Sequence, residues 1–466
     1  MTGGNDGFWD RALTQLSTAW QDIAEAALVR VSGSVRPGLP DEARERLRER
    51  IQACIKGKGG EALARGRAAG IGQHYLALDR DGQRRFLVML AEEFDVDLDE
   101  VEREASALLQ AEDTGTQRAL ATSLRDATEP SRMRLFTQFN GLPNGLKFLV
   151  DIRADALAHR REEPILLRVA DDLRRLLSGW FDVGFLQLRS LNWDSPASLL
   201  EKLIAYEAVH RIQNWNDLKN RLESDRRLFA FFHPNIPDEP LIFVEVALVD
   251  NMAGSVQRLL DPDAPLTAPT EAEAAIFYSI SNTQRGLAGV SLGDFLIKRV
   301  VDELRRELPN LKTFATLSPM PGFRRWLEGH LAEARQLGFA PAGLESGIAP
   351  EALAKAVESE DREALRAWRQ QIMVLGARYL IDEKRGDRPV DAVARFHLSN
   401  GARVERINWM GDLSAKGLAE SAGLMVNYLY RLNDIAQNHE AFVTKGKIPA
   451  SADVRSLARL ARRDEA

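Results

Sequence analysis

The chain has 466 residues, in which 68 Asp and Glu outnumber 62 Lys and Arg, so the formal net charge is −6. This balance argues against a nucleic-acid-binding protein, because binding to phosphates needs a concentrated excess of basic residues. Hydrophobic residues make up 45% of the chain, enough for real cores and too many for a disordered protein. At roughly 100–200 residues per domain, the length corresponds to two to four domains.

Cysteine and histidine usage excludes several kinds of site. Cys54 is the single cysteine, so no intrachain disulfide and no cysteine-based zinc cluster can form, and we expect a small buried hydrophobic residue there. The histidines show no His-Glu-x-x-His spacing, which predicts no metal. No secretory signal pattern opens the chain, and no stretch reaches the roughly 18 consecutive apolar residues of a membrane span. We predict a cytoplasmic protein with no membrane or nucleic-acid partner.

Helical periodicity dominates the N-terminal part of the chain. Apolar residues recur at spacings of three and four, the pattern of one buried helical face, at Trp9, Leu13, Leu16, Trp20, Ile23 and Ala27. Amphipathic patterns continue over 84–94 and 101–110, and a glycine-bearing break at 141–145 separates two further helices. We therefore predict an all-α helical bundle over residues 1–170.

Strand patterns appear after this bundle. Short β-rich runs at 185–189, 229–232 and 241–249 now alternate with helical segments. Mixed strands and helices predict an α/β domain over residues 171–466, so the whole chain belongs to the α+β class.

A strand, a glycine-bearing turn and a long amphipathic helix follow one another between residues 274 and 304. Gly286, Gly289 and Gly293 would let backbone N–H groups approach an anion without a Cβ in the way, and the helix adds its positive dipole end. The turn would suit a pyrophosphate, but it matches neither the Walker A loop nor the Rossmann glycine spacing. The alternative is that the glycines allow tight strand–helix packing.

Two polar side chains stand out further along the chain. Ser318 precedes a proline, which disfavours helical backbone angles and predicts a serine at the end of a strand, close to a helix N-terminus. His397 lies on the apolar face of a helix predicted between Pro389 and Gly401. Each has a structural alternative: an ordinary Ser-Pro turn or helix cap, and a satisfied core histidine.

Several blocks of sequence resemble the malonyl-CoA decarboxylase family in order and separation. They begin at Ile276 (IFYSIS), Gly286 (GLAGVSLGDFLIKRVV), Leu317 (LSPMPGF), Phe396 (FHLSNGA) and Arg406 (RINWM). The resemblance covers about 250 residues, from position 180 to position 430. It implies a helical oligomerisation domain before a catalytic domain of the acetyltransferase-like (GNAT) fold. It also implies conversion of malonyl-CoA to acetyl-CoA and carbon dioxide without metal or prosthetic group, by a homo-oligomer that we expect to be a tetramer.

The resemblance also implies the site residues. The catalytic serine, histidine and tyrosine of the family correspond to Ser318, His397 and Tyr430. Its CoA-binding turn corresponds to Gly286 together with Ala288, Gly289, Val290, Ser291, Leu292, Gly293 and Asp294. At Ser291 the family has a glutamate, so the resemblance places this residue in the turn without fixing the role of its side chain.

The chemistry of decarboxylation agrees with these residue types. Loss of carbon dioxide from a malonyl thioester leaves an enolate, which needs stabilisation of its oxygen charge and a proton for the new methyl carbon. With an ordinary pKa of about 6.5, His397 would be a general acid near neutral pH. We expect His397 to deliver the proton and Ser318 to polarise or position the malonyl group.

Two other functions are compatible with the same residues. An N-acetyltransferase would grip CoA with a similar strand–turn–helix, and would release CoA from acetyl-CoA in the presence of an amine. A noncatalytic helical scaffold could instead have kept an acyl-CoA-sensing module. The presence of both Ser318 and His397 argues against the scaffold.

Overall fold

The computed structural model describes residues 6–27, 36–57, 60–290, 296–337, 350–359 and 362–462. Within these ranges, no helix has both the length and the apolar character that crossing a membrane requires. The chain divides into two compact units. The helical unit comprises the described residues of Met1–Leu186, His233–Glu239 and Gln284–Leu292, and the sheet unit those of Gln187–Phe232, Pro240–Thr283 and Gly293–Ala466.

The helical unit is built from helices that pack around aromatic side chains. Trp20 meets Phe148 edge to face with ring centroids 4.7 Å apart, and Phe139 meets the same ring at 5.0 Å. Buried aromatic pairs of this geometry stabilise a core beyond the area that they bury. The helices are α1 (Asp6–Ala26), α2 (Asp41–Ile55), α3 (Glu61–Leu76), α4 (Arg80–Glu93), α5 (Leu98–Gln110), α6 (Thr114–Ala127), α7 (Arg132–Asn140), α8 (Gly145–His159) and α9 (Leu166–Trp180).

The hairpin of α5 and α6 differs from the other helices of this unit. Neither helix has a buried residue. Leu98 is 75% exposed and Leu109 is 87% exposed. These two leucines therefore place apolar surface in solvent within the single chain.

The sheet unit contains a mixed sheet flanked by helices. Its strands are β1 (Gln187–Leu191), β2 (Arg226–Phe232), β3 (Ile242–Val249), β4 (Ala274–Asn282), β5 (Thr313–Thr316), β6 (Ser318–Pro319), β7 (Lys384–Arg385), β8 (Arg388–Pro389), β9 (Arg403–Asn408) and β10 (Met425–Leu429). Its helices are α10 (Ala197–Tyr206), α11 (Trp215–Asn220), α12 (Val256–Leu259), α13 (Leu296–Glu307), α14 (Phe323–Leu337), α15 (Pro350–Ser359), α16 (Arg362–Ala367), α17 (Arg369–Ile381), α18 (Ala392–Ser399), α19 (Ala415–Ser421), α20 (Ile435–Lys445) and α21 (Ala452–Arg462).

The large sheet has the strand order β1-β2-β3-β4-β5-β10-β6, with β9 paired to β10, while β7 and β8 form a separate hairpin. Strands β4 and β5 pair in parallel from Ala274↔Thr313 to Phe277↔Thr316. The other named pairs are antiparallel. Strand β4 runs on to Asn282, whereas the chain after Thr316 continues as β6 against β10. The two parallel strands therefore have different neighbours beyond their shared segment.

These elements confirm the prediction of an N-terminal helical region followed by a domain of mixed strands and helices. Cys54 is buried, as predicted, and its pKa is raised to about 11 by burial. The strand predicted at 185–189 begins later in the structure, where a short 3-10 turn at Val183–Phe185 precedes β1. Phe185 is 58% exposed, so it does not supply the buried face that its residue type suggested.

Candidate active site

Ser318 owes its position to the alternation of side chains along a strand. Leu317 joins the apolar cluster on one face of the sheet. Thr316 and Ser318 lie on either side of it, so their side chains point to the opposite face. Ser318 opens β6 and pairs with Val426 of β10, which fixes its register. The serine is 6% exposed.

His397 lies in the last turn of α18. The helix begins after Asp391, whose carboxylate accepts the Ala394 N–H as an N-cap. It ends before Gly401, which has a φ of +79° and passes so close to the Ile435 carbonyl that a Cβ there would overlap it. Glycine adopts this backbone conformation without strain and has no Cβ to overlap the carbonyl. Both ends of the helix are therefore fixed, and the imidazole between them is 2% exposed.

Ser318, His397 and Tyr430 form one hydrogen-bonded chain, although 79 positions separate the serine and the histidine. The Ser318 Oγ lies 3.0 Å from the His397 Nε2, and the Tyr430 Oη lies 2.8 Å from Nδ1 of the same ring. Tyr430 follows β10 directly, and its N–H donates to the Phe314 carbonyl at 2.9 Å. The imidazole of His397 therefore contacts both of the other side chains that the family resemblance singled out.

Burial determines the protonation states of His397 and Tyr430 in this hydrogen-bonded chain. Desolvation lowers the pKa of His397 to about 3, because a buried imidazolium loses its hydration. The same cause raises the pKa of Tyr430 well above its ordinary value. At neutral pH both side chains are uncharged in the free protein. The expectation that His397 titrates near its ordinary pKa is therefore wrong for the unliganded state.

This depressed pKa predicts acid sensitivity. The unfolded chain takes up a proton at His397 below about pH 6.5, whereas the folded chain does not, so stability from this residue is complete above pH 6.5 and is lost as the pH falls toward 3. At pH 5 the loss amounts to about 2 kcal/mol. Urea unfolding at pH 7.5 and pH 5 checks this against His397→Asn. Between pH 7.5 and pH 5, the free energy of unfolding should fall by about 2 kcal/mol more in the wild type than in the variant. Equal losses in the two proteins would contradict the depressed pKa of His397.

Sequence reasoning missed two residues of the site. Thr316 is fully buried, and its Oγ1 accepts both the Ser318 hydroxyl at 2.9 Å and the Tyr428 N–H at 3.1 Å. The Tyr428 ring stacks on the imidazole of His397, with centroids 4.5 Å apart and an interplanar angle of 27°. The available signal was the period of two along the strands: Thr316 precedes Ser318, and Tyr428 precedes Tyr430, by two residues.

The described part of the expected CoA turn lies in the helical unit. Gly286 belongs to a 3-10 turn, Arg285–Leu287, and Ala288, Gly289 and Val290 follow it. The N–H groups of Ala288 and Val290 donate to the carbonyls of Arg285 and Leu287 within the turn. Ser291, Leu292, Gly293 and Asp294 lie outside the described residues. Gly289 has a φ of +73°, which favours glycine.

Gly286 has a packing role. A Cβ at this position would overlap the Val150 carbonyl oxygen of α8. Arg153, also of α8, is 3% exposed and donates from Nη1 to the Gly286 carbonyl. Its Nε donates to the Ala170 carbonyl at 2.8 Å. Burial and the nearby Arg174 guanidinium lower the pKa of Arg153. Arg153 therefore links the turn to both α8 and α9, and the guanidinium groups of Arg153 and Arg174 place positive charge near it.

A cleft of about 680 Å³ in the sheet unit has a different lining, and Ser318, His397 and Tyr430 are not among its described residues. It is bordered by Val256, which packs in the same apolar cluster as Leu317 and so belongs to the sheet face opposite Ser318. Its buried Arg221 is held by Glu245 at 2.8 Å and Asp217 at 3.0 Å. The positive charge of Arg221 is therefore paired with acidic side chains of the fold.

The sequence matches two family models. The model of the malonyl-CoA decarboxylase C-terminal domain covers residues 184–466, and that of the N-terminal domain covers residues 94–181. The chain belongs to the malonyl-CoA decarboxylase family. The family relation that the sequence blocks indicated is therefore confirmed.

Similar proteins of the malonyl-CoA decarboxylase family come from animals and bacteria. A mitochondrial malonyl-CoA decarboxylase of Anser anser anser is 40% identical over 77% of this chain and 73% of its own length. That of Rattus norvegicus is 36% identical over 85% of this chain and 86% of its own. Crystal structures of malonyl-CoA decarboxylases from Rhodopseudomonas palustris and Agrobacterium vitis each cover 88% of this chain and 99% of their own, with 42% and 39% identity and a TM-score of 0.81 for both.

These relatives indicate a carboxy-lyase, so the prediction that the chain is an enzyme is confirmed. Among the described residues, no group of three or more histidine, cysteine or acidic side chains is arranged to hold a metal ion. The animal relatives are named as mitochondrial proteins, and the cytoplasmic location of this chain stays a prediction.

Proposed function

We propose that this protein decarboxylates malonyl-CoA to acetyl-CoA, with Ser318 positioning and polarising the malonyl group and His397 protonating the enolate. The observation that carries the proposal is the buried chain from Ser318 through His397 to Tyr430, in a member of this family. Its 3.0 Å and 2.8 Å contacts are within hydrogen-bonding range, so one imidazole connects a hydroxyl at the substrate end with a phenol behind it.

The proton balance of the reaction defines what the site must supply. Malonyl-CoA carries one carboxylate; when carbon dioxide leaves, the electron pair of the broken C–C bond passes into the thioester enolate. The enolate carbon then takes one proton, so each turnover consumes one proton. Stabilisation of the enolate oxygen and delivery of this proton require positioned hydrogen-bond donors, which hydroxyl and imidazole groups are.

His397 is neutral in the free enzyme, and we propose that the substrate changes this. A malonyl carboxylate bound beside Ser318 places a negative charge near the imidazole, and a nearby opposite charge raises the pKa of a histidine. His397 then takes up a proton in the complex and gives it to the enolate carbon after carbon dioxide has left. Having given this proton to the carbon, the imidazole is neutral again, and its low pKa of about 3 keeps it neutral in the free enzyme.

We further propose that the turn Gly286–Asp294 binds the CoA phosphates, through residues 286 and 288–294. Two cations of the helical unit support this: the buried Arg153, and Arg174, whose Cδ lies 3.9 Å from the Cβ position of Gly289. Positive charge at a glycine-bearing turn favours an anionic ligand.

Replacing Gly289 tests the turn. Gly289→Val places a β-branched residue at a φ of +73°, which costs about 1–3 kcal/mol of backbone strain, so the turn should shift. We expect at least about a tenfold loss of CoA affinity, measured by calorimetry with a nonreactive malonyl-CoA analogue. Gly386→Val is the matched control, since Gly386 has a φ of +61° and open space around it. Equal affinity of both variants would contradict the proposal.

The acetyltransferase-like (GNAT) fold is also proposed for the sheet unit. Its support is the connection from β4 through the turn and α13 to β5, with the two strands parallel over four residue pairs and then paired differently. Such divergence opens a place beside the sheet for an extended ligand.

We propose, in addition, a homo-oligomer, with a tetramer as the expected state. The α5–α6 hairpin supports it, because Leu98 and Leu109 stay exposed in the single chain and apolar surface of this kind is commonly covered in assemblies. Light scattering of the purified protein would give the mass of the assembly, and a mass near 52 kDa would reject an oligomer.

The function itself is tested by incubating the purified protein with malonyl-CoA and measuring product masses. Acetyl-CoA and carbon dioxide in equal amounts are expected. Release of free CoA from acetyl-CoA only when an amine is present would instead identify an N-acetyltransferase. Binding of acyl-CoA without any product would identify a sensing scaffold.

A further inference from the structure

We propose that Thr316 is a positioning residue that fixes the tautomer of His397, so that its Nε2–H, and not a bare nitrogen, faces Ser318. This inference rests on the proposed function of His397 and extends it to a residue two positions before the serine.

The Ser318 hydroxyl has a single hydrogen, which faces Thr316. The Ser318 Oγ donates to the Thr316 Oγ1 at 2.9 Å. Thr316 itself is immobilised, since its Oγ1 also accepts the Tyr428 N–H at 3.1 Å and its carbonyl accepts the Asn427 Nδ2 at 2.7 Å. A serine hydroxyl has one hydrogen to donate and two lone pairs to accept with. With that hydrogen given to Thr316 in the unliganded protein, Ser318 can only accept from His397, and its hydrogen turns from Thr316 to the malonyl group when substrate binds.

The imidazole of His397 faces Ser318, which is the acceptor in their contact. The contact of 3.0 Å between the Ser318 Oγ and the His397 Nε2 therefore requires a hydrogen on Nε2. A neutral imidazole has one N–H, so Nδ1 is a bare acceptor, and the Tyr430 hydroxyl donates to it at 2.8 Å. In this arrangement donation runs from Tyr430 through His397 and Ser318 to Thr316.

The consequence concerns both catalytic side chains. Nε2, the nitrogen on the Ser318 side, carries the transferable hydrogen, and Nδ1 is the nitrogen that gains a proton when the substrate raises the basicity of the ring, with the Tyr430 hydroxyl then turning to accept from it. Ser318 does not direct its hydrogen at the histidine, so the resting enzyme does not activate it as a nucleophile. The arrangement suits protonation of a carbanion and not formation of an acyl-enzyme.

Without the Thr316 hydroxyl, the Ser318 hydrogen loses its acceptor. It can then turn to Nε2, which moves the imidazole hydrogen to Nδ1 and leaves no N–H on the serine side. Thr316→Val keeps the shape and β-branching of the side chain but removes the acceptor. Thr316→Ser restores the hydroxyl with the loss of one methyl group.

The test reads the tautomer directly, by ¹⁵N chemical shifts of labelled histidine in the unliganded protein. Wild type and Thr316→Ser should show a protonated Nε2 and a bare Nδ1 at His397, and Thr316→Val should show the reverse or a mixture. In parallel, kcat should fall about tenfold in Thr316→Val with little change in KM, and recover in Thr316→Ser. Thr313→Val is the matched control, because Thr313 lies in the same strand as Thr316 but does not belong to the hydrogen-bonded chain of side chains.

An Nε2–H tautomer retained in Thr316→Val would overturn the inference, and so would an Nδ1–H tautomer in the wild type. If Thr316→Val does not fold, the wild-type and Thr316→Ser spectra still decide which nitrogen carries the hydrogen. These spectra are recorded without substrate, so they stand even if product masses reject decarboxylation. Conversely, if the wild type decarboxylates malonyl-CoA but carries its hydrogen on Nδ1 of His397, only the proposed role of Thr316 is rejected.

Discussion

Turnover of malonyl-CoA should fall by roughly 10²–10⁴ when His397 is replaced by alanine, the usual scale for loss of a general acid. Affinity for the CoA thioester should stay close to that of the wild type, because the imidazole acts on the malonyl carbon and the proposed phosphate contacts lie on a separate turn. Steady-state kinetics and calorimetry with a nonreactive malonyl-CoA analogue measure the two quantities. His74→Ala, in the helical unit, is the matched control.

The same calorimetry can follow the proton. If the malonyl carboxylate raises the pKa of His397 from about 3, binding of the analogue near neutral pH should take up as much as one proton per site. Titration in buffers of different ionisation enthalpy gives this number. His397→Ala should abolish the uptake. Unchanged turnover in the variant would remove His397 from the mechanism, and binding without proton uptake in the wild type would reject its activation by substrate.

The second large effect is expected at Ser318. Removing one hydrogen-bonding group that acts on developing charge costs roughly 10²–10³ in kcat, so Ser318→Ala should lower turnover on that scale. The variant also leaves the His397 Nε2–H without its 3.0 Å acceptor. Steady-state kinetics check this against Ser456→Ala, an exposed serine on α21.

The role of Ser318 as a positioning group and not as a nucleophile has a separate readout. Intact-protein mass spectrometry of the wild type, quenched during turnover, should show the unmodified mass. A malonyl or acetyl adduct that disappears in Ser318→Ala would show covalent catalysis and contradict the proposed role.

The sequence allowed most of the elements around the site to be predicted. The helix that carries His397 was bounded by Pro389 and Gly401, and it spans Ala392–Ser399. The strand and turn at Ser318 followed from the proline after it. These signals are local, because proline and glycine act on the backbone angles of their own positions. The convergence of Ser318 and His397 came from the family resemblance, since nothing local brings together residues 79 positions apart.

Other properties of the site lie beyond local reasoning. Thr316 looks like an ordinary strand residue until the pairing of β10 brings the Tyr428 N–H to its hydroxyl. The charge of His397 depends on how completely other elements exclude water from the ring, so its ordinary pKa was a poor guide. The role of Gly286 was ambiguous in the sequence, and its packing against the Val150 carbonyl is a contact across a separation of more than a hundred residues.

That contact bears on how the chain can be shortened. The boundary between the two family models, near residue 182, invites expression of the C-terminal part alone. Such a fragment would keep the 286–290 turn but lose the contacts that Val150 and Arg153 make with Gly286. The N-terminal helices therefore support the turn, which belongs to the same compact unit, and modular exchange between homologues would have to carry both pieces together.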